Sequence, residues 1–174
     1  AGEKLKELVA AGKIADKNKT ADGNIKIGYV GAFNYAEVVS GYTAFYLGLK
    51  SVVSNIVMHV QYTNSWFDYD AEYQTAKNLI AEGCIIIGQH ADSEGAPTAC
   101  EEAYTAGTRV YSVGYNVSML TAAPHAAITS PTNNWVAYYT YVFYTAMTEG
   151  AKAIKTDWAE GFATGAIRLT EING

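Results

Sequence analysis

The chain has 174 residues, a length that one α/β domain fills and that two could share only as cramped halves. Apolar residues make up 49% and charged residues 17%, the balance of a packed fold rather than of a disordered chain. The net charge of −5 is spread along the sequence, so there is no basic stripe to neutralise a phosphate backbone, and nucleic acid is not an expected partner.

Residues 2–12 have the spacing of a short amphipathic helix with no capping residue before it, as if cut from a longer element. The polar stretch 16–23, with Lys17 and Lys19, reads as a solvated connector, so residues 1–24 make a helix and connector ahead of the first strand. From residue 25 onward, short runs rich in Ile and Val alternate with longer stretches whose apolar residues fall three and four apart. Strands are predicted over 25–30, 56–61, 84–89, 109–113 and 126–129, and helices over 36–50, 69–82, 96–105 and 133–149. Asp68 caps the helix at 69–82, with Asp70 and Glu72 in its first turn against the positive end of the dipole. Gly83, Gly107 and Gly150 fall just past helical runs, where a left-handed residue ends a helix. Residues 151–174 hold one more strand, over 166–169, and read as a terminal strand and crossover segment.

This alternation predicts an α/β fold, a three-layer doubly wound parallel sheet of about five strands with a flavodoxin-like lobe over residues 25–150. No run approaches the roughly 18 consecutive apolar residues of a membrane span, and the opening residues are not a signal peptide. Cys84 and Cys100 lack the tight pairing of zinc ligands and are expected to be two buried thiols, with a disulfide as the minor alternative.

In a sheet of this kind the carboxyl ends of the strands share one edge, and ligands bind there. The predicted loops at that edge are rich in aromatic rings, amides and carboxylates. Phe33 and Trp66 offer flat apolar walls, with covering the sheet edge as their structural alternative, and Asn34, Asp92 and Asn116 offer donors and acceptors that would orient a planar heterocycle or a sugar. Trp135, near the start of the last long helix, is a secondary candidate; the tyrosines between Tyr138 and Tyr144 are read as core contacts. Asp68 is read as a helix cap ahead of a ligand contact, because its position before the helix already explains it. His90 beside Asp92 could be a base with its orienting carboxylate, yet no nucleophile motif accompanies them. His59 and His125 are read as structural, and no metal site is expected. There is no G-x-G-x-x-G turn and no Walker sequence, and no cofactor is expected.

At these same loops the sequence resembles the basic membrane protein family of substrate-binding lipoproteins, which belong to the type 1 periplasmic-binding-protein class. The carriers are IGYVGAF followed by Glu37-Val38-Val39, then YTNSWFD, IIIGQHADS, VGYN, and AITSP followed by Asn134-Trp135, in the family's order. The resemblance implies a non-catalytic, two-lobed receptor for purine nucleosides or related small molecules, delivering them to an ABC transporter permease. It also implies a membrane-anchored lipoprotein outside the cytoplasm. By this likeness Phe33 and Trp66 flank the base while Asp92 and Asn116 contact polar atoms of the ligand. One departure concerns Ser118, where the family often has a carboxylate; a serine cannot supply that charge-assisted acceptor to a ribose. The absent amino-terminal lobe implies that this lobe exposes apolar surface and could self-associate. The rival readings are an enzyme on a flavodoxin-like scaffold using His90 and Asp92, and a ligand-sensing interaction module.

Overall fold

A computed structural model describes residues 1–173. Strands β1 (Ile25–Gly31), β2 (Ile56–Tyr62), β3 (Ile86–His90), β4 (Tyr111–Val113) and β5 (Ala127–Thr129) form one parallel sheet in the order β2-β1-β3-β4-β5. This is the flavodoxin-like strand order, and it places β1 between β2 and β3. Helices α1 (Gly2–Ala10) and α2 (Ala36–Lys50) cover one face, and α3 (Tyr69–Ala81) and α4 (Gly95–Thr105) cover the other. The expected three layers are present.

The two faces follow from the alternation of side chains along each strand. Ile25 and Ile27 of β1 enter a core with Leu5, Leu8 and Leu49 of the first two helices. Val30 points the other way, into a core with Ala76 and Leu79 of α3 and Ala99 and Cys100 of α4. The central strands are buried on both sides, which is why they read as continuous apolar runs. Both thiols are free and buried, and burial pushes the Cys84 thiol up to about 12.

The helix signals work as read. The Asp68 carboxylate accepts from the Ala71 N–H at 3.0 Å, closing the first turn of α3. Gly83, Gly107 and Gly150 all take positive φ, between 88° and 98°, just beyond the ends of α3, α4 and the last helix. His59 pairs with Glu82 at 2.7 Å, and His125 bonds Glu101, so both lie in structural contacts. Among the described residues no cluster of His, Cys, Asp and Glu could hold a metal ion.

Two elements differ from expectation. The predicted helix from residue 133 begins later, as α5 (Trp135–Thr148), because residues 131–133 form a short strand, β6 (Pro131–Asn133). The strand predicted near the carboxyl end, β7 (Ile167–Leu169), does not join the parallel sheet; it pairs antiparallel with β6 in a separate ribbon. The Asn134 amide donates to the Gly165 carbonyl at 2.8 Å and holds the two segments together.

Candidate ligand-binding site

With β1 flanked by β2 and β3, the chain leaves β1 toward one side of the sheet and later returns to the other, opening a crevice at the carboxyl ends. Gly31 and His90 are paired residues across that switch point. The loops after β2 and β3 are bound to each other there. The Asp92 N–H donates to the Trp66 carbonyl at 2.8 Å. Glu72, fully buried on α3, accepts from the N–H of Asp68 and of Ser93, each at 3.2 Å. Burial pushes the Glu72 carboxyl above its ordinary range, opposed by the Ser93 and Asp68 hydrogen bonds that favour its anion. Gln89 donates to the carbonyls of Ala91 and Ser93 at 2.7 and 2.9 Å, which fixes the loop after β3.

This framework supports a run of aromatic rings along the sheet edge. Tyr35 stacks on Phe33 with centroids 4.8 Å apart, and Phe33 meets Trp66 edge to face at 5.4 Å. Trp66 lies 6.4 Å from the imidazole of His90, which lies 4.1 Å from Tyr115. Three loops and the end of β3 thus contribute to one apolar wall. Phe33 and Trp66 do not flank a base in this arrangement. A planar ligand between two rings needs about 3.5 Å on each side, and the tilt of 61° between rings already in contact leaves no such slot. They form one wall together.

The other sequence candidates are placed around it. Asn34 is exposed, and its side-chain oxygen accepts from the Tyr62 hydroxyl at 3.3 Å. Asp92 is exposed beside the Trp66 loop. Asn116 is exposed with φ of 67°, and its N–H donates to the Pro131 carbonyl at 2.8 Å. Trp135 is not brought to the wall; its ring neighbours are Tyr138 and Tyr139 of its own helix.

Beneath the wall, on the α2 side, lies a cavity of about 540 Å³, within the range of ligand pockets. Tyr29, Phe45, Gly88 and Val113 line its length, and His90 and Tyr115 form its end at the sheet edge. None of Phe33, Asn34, Trp66, Asp92, Asn116 and Trp135 lines it. His90 and Tyr115 belong to both the wall and the cavity, so they are the residues that join the two surfaces. The sequence had offered His90 only as a base, and Tyr115 only within a loop motif.

Charge at this edge is one-sided. The loops at residues 31–37, 62–70, 90–95 and 113–119 contain Glu37, Asp68, Asp70, Asp92 and Glu94, and no Lys or Arg. A phosphate or carboxylate would find no cationic side chain there, whereas a neutral ligand rich in N–H or O–H donors would find acceptors.

A putative ABC transporter glucose-binding protein of Haloferax volcanii is 35% identical over 148 residues, which cover 85% of this chain and 36% of that protein. A purine-binding protein of Brucella abortus is 37% identical over 112 residues, covering 64% of this chain and 31% of that protein. The chain therefore spans about a third of the length of these curated relatives. Among solved structures, an ABC transporter solute-binding protein from Conexibacter woesei superposes with a TM-score of 0.64 at 18% identity, covering 85% of this chain and 47% of that one. These are solute-binding proteins, not enzymes, and the reading of His90 and Asp92 as a catalytic pair is set aside. The family model described as ABC transporter substrate-binding protein, PnrA-like, matches residues 10–173, and the chain belongs to that Bmp family.

Proposed function

We propose that this chain is one lobe of an extracytoplasmic receptor that captures a purine nucleoside, a nucleobase or a similar small polar aromatic ligand for an ABC importer. The observation that carries the reading is the aromatic wall, built by three separate loops and the end of β3 at the switch point of the sheet. Aromatic faces and edges gathered in one place favour an aromatic ligand. The purine-binding relative supports the same ligand class, and the edge without cations favours a base or nucleoside over a nucleotide.

The wall is open on its outer side, and a receptor of this class excludes water by closing a second lobe over the ligand. In the proposed protein that lobe comes from the length the relatives have and this chain does not span, with residues 25–150 as the lobe described here and 151–174 as a crossover. The same reading has the whole receptor held at the membrane by a lipid anchor and delivering its ligand to a permease.

A sugar is the second reading, favoured by the glucose-binding relative. The two separate in one experiment. Thermal unfolding is followed against purine and pyrimidine bases, nucleosides and hexoses at millimolar concentration, because binding to the folded state raises the unfolding temperature by mass action. A rise with bases or nucleosides, lost in Trp66→Ala, is the expected result. A rise with hexoses alone would replace the purine reading with the sugar one.

A further inference from the structure

One side chain in the crevice is buried with nothing to bond. His90 ends β3, its side chain is 7% exposed, and neither ring nitrogen has a hydrogen-bond partner among the described residues. An unpaired buried polar group destabilises the fold that holds it, so a ring held in this state is a site poised for a partner. The surrounding structure makes room for it. A Cβ on residue 41 of α2 would lie 2.5 Å from Nδ1, so Gly41 is what allows the imidazole to sit against the helix. Tyr115 covers the ring, and Trp66 stands at its outer edge.

The Nε2 atom lies 3.7 Å from the Glu37 carboxylate, just outside hydrogen-bonding distance. Glu37 stands in the first turn of α2 with its side chain 65% exposed, so it reaches the crevice from solvent while His90 reaches it from the core. The groups facing the imidazole are Glu37 from α2, Asp92 from the loop after β3, Tyr115 from the loop after β4, and Tyr29 from β1. Burial outweighs the two carboxylates and keeps the ring neutral, so it has one acceptor nitrogen to offer. With no Lys or Arg in these loops, the local surplus is of acceptors.

We propose that His90 Nε2 and the Glu37 carboxylate together form the specificity element of the crevice, accepting hydrogen bonds from an amino group on a planar nitrogen heterocycle. The assignment rests on the crevice being the ligand site, and it narrows the ligand class: an aminopurine or aminopyrimidine satisfies both acceptors, whereas an oxo substituent in the same place turns a lone pair toward a carboxylate.

The test titrates the full chain with adenine, hypoxanthine and unsubstituted purine, read by ligand-observed NMR. Adenine is expected to bind at least about tenfold more tightly than the other two, the ratio that one charge-assisted hydrogen bond supplies. Glu37→Gln and His90→Leu should each bring that ratio below about threefold. The exposed position of Glu37 keeps the first variant folded even where the second is not. A tenfold preference that survives Glu37→Gln overturns the proposal, as does a preference for hypoxanthine in the parent chain. Purine binding that Trp66→Ala abolishes, without any amino preference, removes the His90–Glu37 pair and leaves the crevice standing. Absence of binding by all three heterocycles removes the purine reading of the crevice, and this proposal with it.

Discussion

Helices α3 and α5 are of similar length, yet they meet opposite fates. On α3, Ala76 and Leu79 are fully buried against the sheet and α4, while Gln74, Lys77 and Asn78 face water. On α5 only Thr145 is buried, and Val136, Phe143, Tyr144 and Met147 are exposed, Met147 to 85%. Its described partners are a single turn at residues 151–153 and the Trp158 ring against Tyr138 and Tyr141. A helix apolar on all sides is normally a buried one. Residues 1–173 do not supply the surface that would bury α5. The comparison teaches that apolar periodicity reports a helix faithfully, but reports its burial only together with whatever covers it.

The strongest way to break this contrast is to truncate one apolar side chain on each helix. Leu79→Ala removes a side chain with no exposure and should destabilise the chain by about 2–5 kcal/mol. Phe143→Ala, at 65% exposure, should stay within about 0.5 kcal/mol. Urea unfolding of the two variants measures both. Equal losses would mean that α5 is packed in solution, with a second copy of the chain as the obvious cover.

A smaller effect sharpens what α3 does for the crevice. Glu72 lies on the buried side of that helix and bonds the segments after β2 and β3, beside Trp66 and His90 of the wall. Glu72→Ala leaves the N–H groups of Asp68 and Ser93 without their acceptor and should cost about 1–3 kcal/mol. Because Asp68 directly follows the Trp66-Phe67 pair, ligand affinity should fall along with stability. Loss of stability without loss of affinity would show that the wall holds its shape without this brace.

Much of this was legible in the sequence, for physical reasons that also mark where legibility ends. The strands at β1 and β3 were readable because a parallel strand buried on both faces is rich in Ile and Val, and the helix ends because Asp68, Gly83 and Gly107 act locally. The ribbon of β6 and β7 was not readable as a pair. Pro131-Thr132-Asn133 has no strand composition, and its partners lie more than thirty positions away at Leu169, Arg168 and Ile167. At the site, the loop chemistry identified Phe33 and Trp66 as rings at the edge, but their edge-to-face contact depends on how two loops are braced from below. Glu72 read as a helix-dipole residue because its position in the first turn already explained it. His90 read as a base because its histidine neighbourhood was judged by the adjacent Asp92, whereas its lack of any partner is set by Gly41, Tyr115 and Glu37 from three other segments.

The smallest effect bears on that histidine. Burial lowers the His90 pKa below the usual 6.5, so the unfolded chain takes up a proton at this position before the folded chain does. Where the unfolded state binds more protons, stability rises with pH. The neutral ring therefore contributes its full share above about pH 6.5 and loses it as the pH falls through that value toward the lower folded one. Replacement by glutamine removes the titration while keeping a side chain that can donate and accept. Over about pH 7.5 to 5.5 the unfolding temperature of the parent chain should fall more steeply than that of His90→Gln, and the difference between the two curves is the contribution of this one group. Parallel curves would place His90 in a more solvated position than beneath Tyr115, and would take from the crevice its buried acceptor.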